Sequence, residues 1–149
     1  MTYARTTPSR MPASIGWRIF IWTAQIILAA LFGTAGVLKS FWAPTDLAQM
    51  GLAWTVDVPL PFLRFIGTVE LLGAIGVILP ALTRILPLLT PLAAVGFATI
   101  QVLAIGFHAM RGETAAVLPL NIGLLALSLV VIWGRFRKAP IKALSQTAR

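Results

Sequence analysis

Four long apolar runs, at 17–38, 62–79, 86–107 and 117–133, constrain this chain more than anything else in it. Each approaches the ~20 residues that an α-helix needs to cross a hydrocarbon core of ~30 Å. A soluble bundle of four helices would need a polar outer face on each helix. None of the four runs has one. Charged residues make up only 11% of the chain, against 58% hydrophobic, which is too little polar surface for contact with water on all sides. The spacing therefore predicts an all-α protein, a four-transmembrane-helix antiparallel membrane bundle whose main partner is the lipid bilayer.

The segments between the runs complete the organisation. Residues 1–16 are polar, with Arg5, Pro8, Arg10 and Pro12, and read as a disordered N-terminus. The membrane domain then spans 17–138, and 139–149 form a basic tail. The apolar stretch from Ile19 to Leu38 is longer than the h-region of a signal peptide, typically ~7–15 residues, so it reads as a retained first helix. Residues 80–87 (PALTRILP) make a short turn that sets helices two and three antiparallel and adjacent. The longer link, 40–61, mixes Phe41, Trp42 and Trp54 with Asp46 and Asp57. It reads as an interfacial loop with one helical turn near 45–50.

Charge gives the orientation. Arg5, Arg10, Arg18, Arg84, Arg135, Arg137, Lys138, Lys142 and Arg149 fall on one side; Lys39, Arg64 and Arg111 fall on the other, beside Asp46, Asp57 and Glu113. Nine against three puts both termini in the cytoplasm of a multi-pass protein of the bacterial inner membrane. The net charge of +8 is thus an orientation signal, and no nucleic-acid partner is expected. Cysteine is absent, which removes disulfides, thiol catalysis and thiolate metal sites.

Function is sought at polar groups inside the spans, because lipid makes them costly and turns them inward. They recur at helical spacing: Gln25, Ala29, Phe32, Gly36 and Lys39; Gly67, Glu70, Gly73 and Ala74; Ala94, Ala98, Gln101, Ala104 and His108; Asn121, Leu124, Leu125 and Ser128. Small residues beside a polar one mark helix–helix contacts. At ~1.5 Å of rise per residue, Glu70, Gln101 and Asn121 lie roughly 12, 10 and 6 Å from the outer ends of their helices. Lys39 and His108 close helices one and three on that same side. Lys39, Glu70, Gln101, His108 and Asn121 are therefore the candidates for a ligand-binding pocket, with Arg111 and Glu113 as a charge cluster on the outer face.

Each residue has a plainer reading beside this one. Glu70 can be a structural carboxyl, held neutral or paired with Lys39 or Arg64. His108, Arg111 and Glu113 can be a solvated cluster at a helix end. Gln101 and Asn121 can be interhelical hydrogen-bond partners, and Gln25, deeper and alone, reads as packing. One His with a nearby Glu falls short of the three or more ligands of most metal sites, so no metal is expected. Trp17, Trp22 and Trp133 at one end, and Trp42, Trp54 and Phe62 at the other, read as interfacial belts. No phosphate loop, nucleophile elbow, zinc motif or dinucleotide fingerprint occurs, so no catalytic residue is assigned.

Four stretches, FGTAGVLKSF (32–41), FIGTVELLGAIGVILPAL (65–82), VLAIGFHAMRGE (102–113) and NIGLLAL (121–127), resemble the DoxX-like family of small bacterial membrane proteins. The likeness extends over about 26–137. It implies a four-helix membrane bundle in which Glu70, His108 and Asn121 line a polar pocket. Named relatives are linked to quinone-coupled sulfur oxidation and to oxidative-stress complexes, so a quinone is the cofactor that the resemblance brings in, with a membrane or soluble redox partner. Without cysteine, any redox role here needs that quinone or partner. Three readings stay open: a redox-associated subunit binding a quinone-like or small apolar ligand, a non-catalytic scaffold that stabilises a partner, and a small transporter. A homo-oligomer stays open as well.

Overall fold

The computed structural model describes residues 14–144, the side chain of Thr114 excepted. The expected disordered segment lies outside the described residues as far as 13, and the expected tail does from 145 onward. Four long helices, α1 (Ile15–Phe41), α3 (Leu60–Thr83), α4 (Leu89–Met110) and α5 (Thr114–Trp133), are joined by a short α2 (Pro44–Gln49) and a 3-10 turn at Ala53–Val56. A π-helical turn, Gly134–Lys138, follows α5. All four long helices are long and apolar enough to cross a membrane. The residues on their outer faces, among them Ile26, Leu72, Leu103, Leu120 and Leu129, are exposed and apolar. Such a surface belongs in lipid, and the protein is a multi-pass membrane protein.

The helices form a ring in chain order. α1 packs most extensively on α3, α4 on α5 and α3 on α4, and the α1–α5 seam is the thinnest of the four. Lipid tails are as apolar as leucine, so close packing rather than the hydrophobic effect holds such helices together. The centre is a stack of Phe32 on Phe97, ring centroids 3.8 Å apart and planes 6° from parallel. Ala24, Leu28, Val77, Ala94, Leu124 and Val131 surround it, so every long helix contributes. Of the inward stripes read from the sequence, Gln25, Phe32, Gly36, Lys39, Gly67, Glu70, Ala94, Gln101, His108, Leu124 and Ser128 are buried, and Ala29, Gly73, Ala74, Ala98, Ala104, Asn121 and Leu125 are half-buried.

Element boundaries follow local chemistry. The Ser14 Oγ accepts from the Trp17 N–H at 3.5 Å at the start of α1. Pro44 ends that helix from downstream, because the residue before a proline is driven out of the α region. α3 runs on through Pro80 to Thr83, beyond the turn expected at 80. A proline carries a helical φ, and in a membrane bundle its neighbours can offset the missing donor. The turn falls instead where Arg84 and Leu86 take left-handed conformations, φ 60° and 47°, which moves the start of α4 to Leu89.

The long link is folded rather than trailing. The helical turn expected near 45–50 is α2. Thr55, fully buried, turns its Oγ1 to the carbonyls of Pro44 and Leu52, each at 2.8 Å, and Leu47 is buried beside it. This small core holds the link as a cap across one end of the bundle, here called the loop end. The other, terminal end carries both ends of the described chain.

Candidate functional site

The close approach of α1 and α3 builds the first part of the site. Gly36 and Gly67 face each other so tightly that a Cβ on Gly36 would stand 2.8 Å from the Gly67 carbonyl oxygen. Across this contact, from residues that each follow their glycine by three positions, Lys39 Nζ donates to Glu70 Oε1 at 2.6 Å. Lys39 is 8% exposed and Glu70 3%, so this is a buried ion pair. Arg64, the other cation considered for Glu70, donates instead from Nη1 to the Lys39 carbonyl at 2.6 Å. There it satisfies one of the orphan carbonyls at the end of α1. In the loop-end half of the bundle, Glu70 Oε2, Ser40 Oγ and Asn121 Nδ2 are buried without a partner.

A second group forms where α4 ends. His108 Nδ1 and Glu113 Oε2 are 2.8 Å apart, and Arg111 Nε donates to Glu113 Oε1 at 2.9 Å. Arg111 Nη2 reaches across to Asp57 Oδ2 at 2.7 Å, tying the folded link to the end of α4. Trp54 stands between the two groups. Its ring lies 5.8 Å from Lys39 Nζ, within cation–π range, and meets the Phe107 and His108 rings edge-on at 5.8 and 6.4 Å. Trp54 thus roofs the ion pair instead of serving only as an interfacial anchor.

Electrostatics at the loop end give a pH dependence. The hydrogen bond from Arg111, with that to His108 second, holds the Glu113 carboxyl below its ordinary pKa, while bonds to Glu113 and Asp57 raise that of Arg111. A carboxyl lowered in the folded state adds stability that is complete above its ordinary pKa and is lost as pH falls to the lowered one. Trp54 fluorescence is therefore expected to stay constant through neutral pH and to change only below the ordinary carboxylate range. In Arg111→Gln the change should begin at a higher pH, near that ordinary range. Identical profiles for the two proteins would show that the clasp does not hold the link.

The five expected pocket residues are brought to one half of the bundle but not into one network. Hydrogen bonds join Lys39 to Glu70 and His108 to Glu113, and among the described residues none joins the two groups. Gln101 is buried on α4, two turns or ~10 Å below His108. Asn121 is half-buried on α5. Among the described residues no three His, Asp or Glu side chains gather as metal ligands would.

Sequence reasoning missed a polar group at the terminal end. Gln25, read as packing, donates from Nε2 to the Val77 carbonyl and accepts from Arg135 Nε at 2.7 Å and from Arg135 Nη2. The only signal was that Gln25 shares the inward stripe of Lys39. Arg135 stands in a run of basic residues that all look alike in sequence. Elsewhere, the thin α1–α5 seam leaves an apolar groove of about 410 Å³ lined by Leu31, Leu120, Gly123, Leu124, Leu127 and Val130.

Residues 23–131 match the DoxX-like family, which takes in α3, α4 and the link whole and most of α1 and α5, but not the start of α1 or the π-helical turn. No curated protein and no solved structure matches the chain. The protein belongs to the DoxX-like family.

Proposed function

We propose that this DoxX-like membrane protein is a redox-associated subunit that binds a small, mostly apolar ligand of the quinone class in the loop-end half of its bundle. The observation that carries this reading is the buried Glu70 Oε2. Its sister oxygen is held by Lys39, yet it has no partner of its own, and neither does Asn121 Nδ2. A dry acceptor and a dry donor each leave a cost of ~1–3 kcal/mol unrelieved. A quinol can relieve both, one hydroxyl donating to Glu70 Oε2 and the other accepting from Asn121 Nδ2, so the residues present fit the reduced head, and the apolar groove suits an apolar tail. When bound, a quinone supplies two-electron, two-proton redox chemistry. The chain's own part is to hold the head by hydrogen bonds, to keep water out beneath Trp54, and to offer Glu70 Oε2 as a proton acceptor. The charge count favours a bacterial inner-membrane location with cytoplasmic termini, and reporter fusions at both ends would test that orientation.

Quenching of Trp54 by a short-chain quinone, titrated into the purified protein in detergent, tests the binding. Asn121→Leu should weaken it about tenfold, as loss of one hydrogen bond does, while the free protein becomes no less stable than the parent, because a dry donor has been removed. Equal binding by the parent and Asn121→Leu would remove the proposal. The scaffold reading has one observation in its favour: Lys39 is already paired with Glu70, and His108 and Arg111 with Glu113. On that reading quinone does not quench, and a partner protein co-purifies in fixed ratio and is lost when the link 42–59 is replaced.

A further inference from the structure

Arg135 is buried at the terminal end, 6% exposed, and among the described residues it has no carboxylate partner. The four Asp and Glu side chains of the chain are Asp46, Asp57, Glu70 and Glu113. Three sit at the loop end, and Glu70 is held by Lys39. What Arg135 has is neutral. Gln25 Oε1 accepts from Nε at 2.7 Å and from Nη2, and the Trp22 ring lies 5.1 Å from the guanidinium. Gln25 is fixed in turn by the Val77 carbonyl. These contacts orient the cation without cancelling its charge. A buried charge lacking a counter-charge is expensive, and Arg18 on α1 is near enough to repel it.

The burial follows from local structure. Gly134 lies against α1, where a Cβ would stand 2.6 Å from Ile21 Cδ1. The wider π-helical turn from Gly134 then brings Arg135 inward while Phe136, Arg137 and Lys138 stay exposed. Of the five guanidinium N–H groups, two go to Gln25 and one makes a long 3.4 Å contact with the Ala139 carbonyl. Two remain, enough for a bidentate bond to an anion. The surroundings mark headgroup depth: Lys138 Nζ lies 5.1 Å over the Trp133 ring, and Trp133 packs edge-on to Trp17 at 5.3 Å.

We propose that Arg135, oriented by Gln25 and flanked by Arg18 and Lys138, binds the phosphate of an anionic phospholipid in the leaflet that faces the chain termini. A phosphate matches the planar fork of arginine, and in a bilayer an anionic headgroup is the counter-charge supplied at this depth. The site is at the opposite end from the quinone-class reading and does not depend on it.

The test is thermal unfolding of the full chain in an uncharged detergent, titrated with phosphatidylglycerol, phosphatidylcholine or inorganic phosphate. Phosphatidylglycerol should raise the midpoint, and the other two should not. Arg135→Lys keeps the charge but loses the fork, and Arg18→Gln alters an exposed residue, so neither need disturb folding. Each should weaken the apparent affinity about tenfold, as loss of a charge-assisted hydrogen bond does, with Arg137→Gln unchanged. Equal affinity in the parent, Arg135→Lys and Arg18→Gln would overturn the site. Equal stabilisation by phosphatidylcholine, or by inorganic phosphate alone, would overturn the anionic lipid as its occupant.

Discussion

Lys39→Met is expected to destabilise the bundle by about 3–5 kcal/mol, and adding Glu70→Leu to the same chain is expected to recover most of that loss. The asymmetry comes from burial. The side chains of Lys39 and Glu70 are 11% and 4% exposed, with nitrogen and oxygen 2.6 Å apart. Removing the cation leaves a carboxylate in a dry interior with Trp54 above it, and no other cation takes its place, because Arg64 is engaged with the Lys39 backbone carbonyl. Removing both charges leaves two apolar side chains and no ion to desolvate. An exposed pair would behave otherwise: each single substitution would cost about 1 kcal/mol or less, and the two would add. Unfolding midpoints of the parent, the two single variants and the double variant in one detergent give the coupling directly. Additivity within ~0.5 kcal/mol would mean that the pair is not a buried one in solution.

How far the sequence reveals this arrangement depends on what each contact rests upon. The helices are legible because four apolar runs can meet a bilayer in only one way, and the inward stripes because an unpaired polar group in lipid has nowhere else to turn. The Lys39–Glu70 pair is half legible. Both residues sit on inward stripes, but choosing Lys39 over Arg64 requires the depth at which α1 and α3 touch. The Arg111–Asp57 contact spans 54 residues and exists only because Thr55 folds the link into a cap. Arg135 is the least legible. Among neighbouring basic residues, only the widening of one helical turn singles it out, and nothing in composition or periodicity announces a π-helical turn. The end of α3 errs in the opposite direction: Pro80 looks like a stop, yet the left-handed residues beyond it make the turn.

Gly67→Ala is expected to cost about 3 kcal/mol, at the upper end for overpacking, and to act through the ion pair as well as through packing. A Cβ there would stand 2.8 Å from the Ser40 backbone nitrogen, 2.7 Å from Ser40 Oγ and 2.9 Å from Lys39 Cβ. Gly36→Ala meets the same barrier from the other helix, 2.8 Å from both the Gly67 carbonyl oxygen and the Leu71 nitrogen. Backbone atoms cannot rotate out of the way, so α1 must withdraw from α3, and the 2.6 Å ion pair that spans this contact has little slack to follow. Gly33 supplies the control. A Cβ there would sit 3.5 Å from the Ala74 Cβ, in ordinary contact, so Gly33→Ala should be neutral or stabilising by up to ~1 kcal/mol through helix propensity. The two contributions at Gly67 separate by background: in the Lys39→Met/Glu70→Leu chain no pair remains to be strained, and Gly67→Ala should cost less there than in the parent. An equal cost in both would assign the whole effect to packing and leave the ion pair indifferent to how closely α1 and α3 approach.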